Sequence, residues 1–514
     1  MSSSSEKRLA AIDIGTNSIR CIVVEVTGYN DFRILDDEKA TVRLGEGLFA
    51  GGSISPDAWE RAREALLRMR MIIEGLGAGF VEAVATSAVR KARNGREFIV
   101  AMKAEAGVDI RVIDGKEEAQ LAATSAYHNF DMGGRRYAMV DIGGGSAEVV
   151  ISAGNHVEEI HSLDLGAVYL SERFVRTDPI SSGEFADLRK YLRKSLKQAL
   201  KGPDASLQTL VGSGGTITAI GAMTMAMREE RYDSMHGYEV LRSEVVHLLS
   251  MLERMTFKER RALQGLNPER ADIIVAGVAV INELMRRLGS NVLKVNERGL
   301  REGLILESLW KHGLIERRAH PRDWRDSIRD FARSCHVDMN HGEQVRKLAL
   351  RLFKPLAEPF GLDKRSGQML EAAALLHDVG YFINYSKHHK HSYHLIRHAD
   401  LFDFSPREKE VVANLARYHR KALPRLRHEN FAGLSPEDRT LVKRLGGILR
   451  LADGLDRRRS QVVEGVSCAL EEEAFSVAVE GEGDLSVEVF GGRGKGDLFE
   501  EAFGLRLDIA ASSH

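Results

Sequence analysis

The sequence predicts a two-lobed α/β region, then an all-helical region, then a small α+β segment. Three observations carry that prediction. A strand–turn–strand unit occurs twice. Ala11-Ile12-Asp13-Ile14-Gly15-Thr16-Asn17-Ser18 leads into Cys21-Ile22-Val23-Val24, and Met139-Val140-Asp141-Ile142-Gly143-Gly144-Gly145-Ser146 leads into Val149-Val150-Ile151. Up to about residue 312, apolar strands alternate with amphipathic helices, the pattern of an α/β domain. From there to about residue 460 the apolar period is helical, and period-two alternation then returns.

At 514 residues the chain is too long for one ordinary domain. It divides into lobe I over 1–128, lobe II over 129–312, a helical domain over 313–460 and a small α+β domain over 461–514. A hydrophobic content of 43% with 29% charged residues is a normal soluble balance. Lys+Arg is 73 against 74 Asp+Glu, so no global field draws nucleic acid or a membrane surface, and any polyanion site must come from local clustering. Cys21, Cys335 and Cys468 lie far apart, which excludes a disulfide framework or zinc finger and points to a reducing compartment. Residues 1–8 lack an apolar signal core, and no run approaches the ~18 apolar residues of a membrane span. A cytoplasmic protein is expected, with neither nucleic acid nor membrane as partner.

Taken in order, 9–27 form the first hairpin and 33–44 a further strand. Residues 56–71 form an amphipathic helix capped by Ser55. Residues 81–85 form a buried strand, 96–106 a helix and 110–113 another strand. The helix after Asp114-Gly115 places Ala119, Ala122, Ala123 and Ala126 on one narrow face. The second hairpin covers 137–152, a Lys/Arg-rich helix 182–201, a third Gly turn 210–216, a helix 271–288 and a strand 292–295. Glu297-Arg298-Gly299-Leu300-Arg301-Glu302-Gly303 opens a closing helix. Arg317, Arg318, Pro321 and Arg322 mark a boundary. In the last segment, 475–479 and 485–489 alternate as strands, followed by a helix near 497–503 and a strand over 505–509.

Each hairpin turn directs several backbone N–H groups at one point and is suited to a phosphate. The preceding Asp13 and Asp141 are placed to hold Mg²⁺ or its water shell. One such turn alone would read equally as an ordinary hairpin. The duplication favours two related lobes around a cleft. Gly214 and Gly215 in the third turn open a helix, the usual place for backbone anion binding. At about 100° per residue, Glu118 lies at the edge of the alanine face and Glu117 nearly opposite it. Either both acids complement the helix dipole, or Glu118 looks into the cleft. Glu148 lies where Arg20 lies in the first copy, and a carboxylate there is useful only with a metal or water to orient.

Ten of the eighteen histidines fall between His336 and His428. His341, the pair His377-Asp378, and Asp453 have plausible metal-site spacing on separate helices. The alternative is that they hydrogen-bond helices together or cap a helix end. Lys387-His388-His389-Lys390-His391, Arg420-Lys421 and Arg457-Arg458-Arg459 form basic clusters suited to a track for a polyanion.

Asp13-Ile14-Gly15-Thr16-Asn17-Ser18, Ala85-Thr86-Ser87-Ala88-Val89-Arg90, Gly115-Lys116-Glu117-Glu118-Ala119, Asp141-Ile142-Gly143-Gly144-Gly145-Ser146-Ala147-Glu148 and Gly212-Ser213-Gly214-Gly215-Thr216 occur in that order. The set resembles the exopolyphosphatase / guanosine pentaphosphate phosphohydrolase (Ppx/GppA) family over essentially the whole chain. The resemblance implies duplicated actin-like ATPase (ribonuclease H-like) lobes and Mg²⁺-dependent hydrolysis of a terminal phosphate. It implies that Glu118 is the catalytic base and that Arg90 binds the phosphate. Thr16, Asn17, Ser18, Gly143, Gly144, Gly145 and Ser146 would cradle phosphates, while Asp141 and Glu148, with Asp13, would organise the metal. The third domain resembles an HD-type domain, with His341, His377, Asp378 and Asp453 as a possible second metal site. Expected substrates are inorganic polyphosphate or guanosine pentaphosphate, an ATP-dependent kinase of the same fold or a nucleotide-sensing scaffold being the rivals. A homodimer is expected.

Overall fold

The two hairpins open two sheets built on one plan, both within Met1–Pro321, the first of two compact units; the second is Arg322–His514. The computed structural model describes residues 7–27, 31–133, 135–154, 156–204, 206–317 and 323–512. Arg318, Pro321 and Arg322 of the expected boundary lie outside these.

In the first half of unit 1 the order is β1 (Arg8–Ile14), β2 (Ile19–Thr27), β3 (Asp31–Ala40), α1 (Leu48–Gly51), α2 (Pro56–Gly75), β4 (Phe80–Ala85), α3 (Ser87–Lys91), α4 (Gly95–Ala106), β5 (Ile110–Val112) and α5 (Gly115–Asn129). Its sheet runs β3-β2-β1-β4-β5. The β1–β2–β3 pairings are antiparallel and β1–β4–β5 parallel. Ser55 caps α2 as expected, its Oγ accepting from the Ala58 N–H at 3.3 Å. The uninterrupted apolar run of β1 follows from burial on both faces. Ala10, Ile12 and Ile14 pack against α2 and α4, whereas Leu9 and Ala11 meet the helix that closes the unit.

The second half repeats the plan. It comprises β6 (Arg136–Ile142), β7 (Ala147–Ala153), β8 (His156–Leu163), α6 (Ala167–Phe174), α7 (Ser182–Ala199), β9 (Thr209–Ser213), α8 (Gly215–Met227), β10 (Glu239–Leu241), α9 (Arg242–Leu252), α10 (Phe257–Arg261), α11 (Ile274–Leu288), β11 (Val292–Val295) and α12 (Gly299–Lys311). The sheet order is β10-β11-β9-β6-β7-β8, again an antiparallel hairpin beside parallel strands. The registers are equivalent: Asp13 pairs with Arg20 in one hairpin, Asp141 with Glu148 in the other. β8 and β10 are unforeseen, the first carrying two adjacent glutamates and the second only three residues long.

Two helices cross the expected lobe boundary. α5, grouped by sequence with lobe I, lays Ala119, Ala123 and Ala126 on Met139, Val150 and Val211 of the second sheet. α12, grouped with lobe II, covers the first sheet with Leu300, Leu304, Ile305 and Leu309. The two helices are joined by a buried polar knot. Glu302 accepts from Ser125 Oγ at 2.8 Å and from Asn129 Nδ2, while Arg298 Nη1 donates to Asn129 Oδ1 at 2.7 Å.

Unit 2 comprises α13 (Trp324–Ser334), α14 (Met339–Ala357), α15 (Lys364–Leu376), a 3₁₀ turn (Val379–Phe382), α16 (His388–His398), α17 (Pro406–Tyr418), α18 (Glu429–Ala432), α19 (Pro436–Gly454), β12 (Val463–Leu470), β13 (Ala474–Gly481), α20 (Ser486–Arg493), α21 (Asp497–Phe503) and β14 (Arg506–Ala511). The segment expected as a separate C-terminal domain shares one core with the helices, Val463, Phe475, Phe499 and Ile509 packing with the residues of α14, α15 and α19. The expected strand at 485–489 is instead the start of α20. Its buried positions are Leu485, Glu488, Gly491 and Gly492, a helical spacing, and Glu488 is ion-paired with Arg458 at 2.6 Å. β12, unforeseen, supplies the third strand of the β12-β13-β14 sheet.

The contact between α5 and α12 depends on Gly303, where an added Cβ would lie 1.9 Å from the Leu121 carbonyl oxygen. Gly303→Ala is expected to destabilise unit 1 by about 1–3 kcal/mol, the usual cost of overpacking. Urea denaturation would check this, and an unchanged midpoint would contradict the packing described.

Candidate active site

The two hairpin turns face each other at the floor of a cleft in unit 1. In each, the Gly N–H donates to the Ser carbonyl three residues on: Gly15 to Ser18 at 3.1 Å, Gly143 to Ser146 at 3.0 Å. The turns touch: a Cβ on Gly145 would lie 2.5 Å from Ser87 Oγ and 3.0 Å from Thr16 Oγ1. Gly144 and Gly145 thus permit an approach no side chain would allow. The cleft is lined by Asp13, Thr16, Asn17, Ser18, Glu118, Asp141, Gly143, Gly144, Gly145, Ser146, Gly214 and Gly215, all expected site residues. Gly214, at φ +94°, packs its backbone against the Ile142 carbonyl and Asp141.

Helix geometry resolves the paired glutamates. Asp114 Oδ1 caps α5 by accepting the Glu117 N–H at 2.8 Å. Glu117 turns outward and pairs with Arg111 at 2.6 Å, whereas Glu118 is only 5% exposed and reaches the cleft. Arg90 Nη1 donates to Glu118 Oε2 at 3.3 Å and is itself pinned on the Ile113 carbonyl at 2.6 Å. Beside them Glu148 accepts from Ser162 Oγ at 3.0 Å, but its Oε2 is buried without a hydrogen bond. Gly115 presses against the same Ser162, where a Cβ would lie 2.1 Å from Oγ. Asp141 Oδ1 accepts from Ser213 Oγ at 2.7 Å.

Burial raises all four acids above the usual carboxylate range. Glu118 lies well above it, through burial first and then Glu148, with Arg90 opposing. Glu148 is pushed up to about 8 by burial and then by Asp141. Asp13 reaches about 6 through burial, although Arg301 opposes, and Asp141 is raised by burial against its bond from Ser213. A set of buried oxygen donors, mutually repelling and with one oxygen unsatisfied, fits a hard divalent cation such as Mg²⁺.

Sequence reasoning missed the cations. Arg20, Arg270, Arg298 and Arg301 line the same cleft. Burial lowers Arg20, with Arg301 adding to it, and takes Arg270 down to about 10. Arg20 was legible in principle, since it stands in the first hairpin where Glu148 stands in the second. Arg270 ends a short 3₁₀ turn, Pro268–Arg270, that carries no motif.

In unit 2 the fold brings His341, His377, Asp378 and Asp453 together. His341 Nε2 lies 3.4 Å and His377 Nε2 4.0 Å from Asp453 Oδ1, and His377 Nε2 is 3.5 Å from Asp378 Oδ2. Burial first, against the nearby carboxylates, lowers the His377 imidazole. The expected basic track needs correcting. His388 and His389 are buried, Arg458 is paired with Glu488, and Arg459 with Asp378 at 2.6 Å. Lys387, Lys390, Lys421 and Arg457 keep an exposed positive surface.

The model of the Ppx/GppA phosphatase family matches residues 21–312, and that of Ppx/GppA phosphatase, domain III, residues 324–485. The chain is 35% identical over 314 residues to Exopolyphosphatase 2 of Mycobacterium tuberculosis, a match covering 58% of this chain and 98% of that protein. Among solved structures, an exopolyphosphatase from Cytophaga hutchinsonii is 27% identical with a TM-score of 0.55, covering 59% of this chain and 97% of its own. The Aquifex aeolicus member of the Ppx/GppA protein family is 28% identical with a TM-score of 0.52, covering 59% and 98%. Among the described residues no helix is long and apolar enough to cross a membrane.

The acid cluster has a consequence for stability. A carboxyl whose folded value lies above its unfolded one holds its proton more tightly when folded. Its contribution is therefore present below about 4.5 and lost as pH rises through about 8 for Glu148. Metal-free protein is expected to lose thermal stability over that range, Mg²⁺ to restore it at the upper end, and Glu148→Gln to flatten the dependence. Melting curves against pH, with and without Mg²⁺, check this. A flat profile for the metal-free wild type would contradict it.

Proposed function

We propose that this chain, which belongs to the Ppx/GppA phosphatase family, releases terminal orthophosphate from inorganic polyphosphate in a Mg²⁺-dependent hydrolysis with Glu118 as base. The chain is a phosphoanhydride hydrolase, as its family and exopolyphosphatase relatives indicate. The observation that carries the finer reading is Glu118, buried yet facing the cleft, bonded by Arg90 and sharing the cleft with the two Gly turns.

Phosphoryl transfer needs mainly positioning and charge neutralisation. In this reading the backbone N–H groups of the turns and the Ser18 and Ser146 regions cradle the terminal phosphate. Asp13, Asp141 and Glu148 are the residues that would hold Mg²⁺, which when bound supplies positive charge to the phosphate oxygens. Glu118 orients an in-line water and takes its proton. The water oxygen forms the new P–O bond, the bridging P–O bond breaks, and the shortened chain leaves. Arg20, Arg270 and Arg301 add fixed positive charge along the cleft, suited to a substrate that is nearly all charge. In unit 2 we read His341, His377, Asp378 and Asp453 as the metal position of an HD-type domain.

Glu118→Gln is expected to lower phosphate release about 10²–10⁴-fold, the usual contribution of a general base, with polyphosphate binding retained. Glu117→Gln, whose carboxylate pairs with Arg111, should be far milder. Exchange of the two effects would overturn the assignment. Guanosine pentaphosphate is assayed alongside; its faster turnover would make that phosphohydrolase reaction the main activity. Dependence on a phosphate acceptor other than water would point to a kinase.

All cleft residues precede residue 302. Residues 1–321 alone are therefore expected to release phosphate from short polyphosphates. Loss of the exposed lysines and arginines of unit 2 should reduce the preference for long chains, and raised salt should shrink that difference, since such charges are screened over about 8–10 Å. Chain-length distributions during digestion measure it, and an unchanged preference would remove the basic surface from the account.

A further inference from the structure

We propose that Ser162 and Ser213 set the cation selectivity of the cleft in unit 1. Each hydroxyl occupies one oxygen of a metal-site carboxylate and leaves the other for the ion, which favours Mg²⁺ over Ca²⁺. The inference rests on reading Asp141 and Glu148 as cation ligands and names the residues that act through them.

Strand register puts four residues in one row across four adjacent strands of the second sheet. Ser213 on β9 pairs with Asp141 on β6, Asp141 with Glu148 on β7, and Glu148 with Ser162 on β8. Directly opposed residues put their side chains on the same face, about 4.5–5.5 Å apart at Cβ. The row therefore reads Ser-Asp-Glu-Ser, two acids flanked by two hydroxyls. The equivalent row of the first sheet is Val84, Asp13, Arg20 and Lys39. It has no hydroxyl, and its own acid faces two cationic side chains. The duplicated plan has diverged at this row, one copy suited to a cation and the other carrying fixed positive charge.

Each serine gives its one hydrogen to the acid beside it. Ser213 Oγ donates to Asp141 Oδ1 at 2.7 Å and Ser162 Oγ to Glu148 Oε1 at 3.0 Å. Backbone stands close to both bonded oxygens. A Cβ on Gly214 would lie 3.1 Å from Asp141 Oδ1, and one on Gly115 would lie 3.8 Å from Glu148 Oε1. The other Glu148 oxygen, Oε2, is buried without a hydrogen bond. Asp141, Glu148 and Ser213 line one small cavity beneath the alanine face of α5. Burial and Asp141 raise the Glu148 carboxyl, while bonds from Ser146 and Ser162 oppose them. An ionised carboxylate only accepts. With one oxygen bonded and hemmed in by backbone, it offers an ion the remaining oxygen alone.

That arrangement separates two ions of equal charge. Mg²⁺ demands near-octahedral geometry at about 2.0–2.1 Å, keeps several waters and needs only one or two carboxylates. Ca²⁺ takes roughly six to eight oxygens at about 2.3–2.6 Å and accepts carboxylates through both oxygens. Single oxygens from Asp141 and Glu148, completed by water, satisfy the first ion and leave the second short of ligands. Without the hydroxyls each carboxylate is free to turn and chelate. Mg²⁺ then loses ligands held in place, Ca²⁺ gains oxygens, and the discrimination falls.

The test is isothermal titration calorimetry of the full chain, freed of metal, with Mg²⁺ and with Ca²⁺ in the absence of substrate. The binding lost in Asp141→Asn identifies the cleft. There the wild type is expected to bind Mg²⁺ more tightly than Ca²⁺. In Ser162→Ala/Ser213→Ala the ratio of the two affinities should fall about 10–100-fold, the usual effect of losing a group that holds a metal ligand. Ser162→Thr, which keeps the hydroxyl, should keep the ratio. An unchanged ratio in the double variant overturns the inference whatever the melting temperature, because serines that only support the fold would lower stability and leave the ratio alone. Ser162→Ala on the edge strand β8 serves if the double variant does not fold, an unchanged ratio again overturning the inference. Equal affinities in the wild type overturn it without any variant. If neither ion shows binding that depends on Asp141, the cation reading of the cleft fails as well, a result distinct from an unchanged ratio.

Discussion

Four carboxylates converge at one cleft, Glu118 and Glu148 buried and Asp13 and Asp141 partly so, and the architecture of unit 1 is built to hold them there. Asp13 and Asp141 lie one residue before the ends of the first strands of the two hairpins, Glu148 is the second residue of the return strand of the second, and Glu118 arrives on α5. Left to themselves such groups would separate or take up protons, since a buried anion without a counter-charge is expensive. They stay because their backbones belong to two sheets whose registers cannot slip without exposing an apolar face. Arg20, Arg90, Arg270 and Arg301 supply surrounding positive charge, and one Glu148 oxygen is buried without a hydrogen bond.

Small residues make this convergence possible. The alanine face of α5 lets the helix lie close on the second sheet, and Gly115 lets its first turn reach Ser162 beside Glu148. Gly144 and Gly145 let one turn meet Thr16 and Ser87 of the other half. Across the cleft mouth the halves are tied by polar contacts: Arg43 to Asp272 at 2.9 Å, Thr41 to Glu269 at 2.7 Å, and the Gly47 N–H to Glu172 at 2.9 Å. Phe49 adds an edge-to-face contact with Tyr169 at 5.1 Å. These ties are partly solvent-exposed and individually weak.

Unit 2 meets the same problem with different atoms. Its buried anions, Asp378 and Asp453, are faced by imidazoles, and both carboxyls are held well below the ordinary range. Burial opposes this, but it is outweighed for Asp378 by His377, His388 and His419, and for Asp453 by Lys495 and His341. The two units thus shift their carboxyls in opposite senses, because one gathers carboxylate oxygens that repel one another and the other sets imidazole and ammonium groups beside its carboxylates.

The local sequence carried most of the plan of unit 1, because strand–turn–strand units and helical apolar faces are properties of consecutive residues. The two hairpins with their Asp residues and the helix after Asp114-Gly115 follow from spacing along the chain, which also left Glu118 as the acid of its pair that could reach the cleft. The Gly turns and the His-Asp pair were legible for the same reason. Tertiary packing decided what no window of sequence contains. It sent α5 to the second sheet and α12 to the first, because each buries its apolar stripe where the complementary face lies. It made Ser486–Arg493 a helix against an alternating pattern, with Glu488, Gly491 and Gly492 turned inward and Glu488 paired with Arg458. It also turned His388 out of a basic surface run and into the histidine cluster. A ring's partners depend on which helix faces it, and that is settled only when the chain has folded.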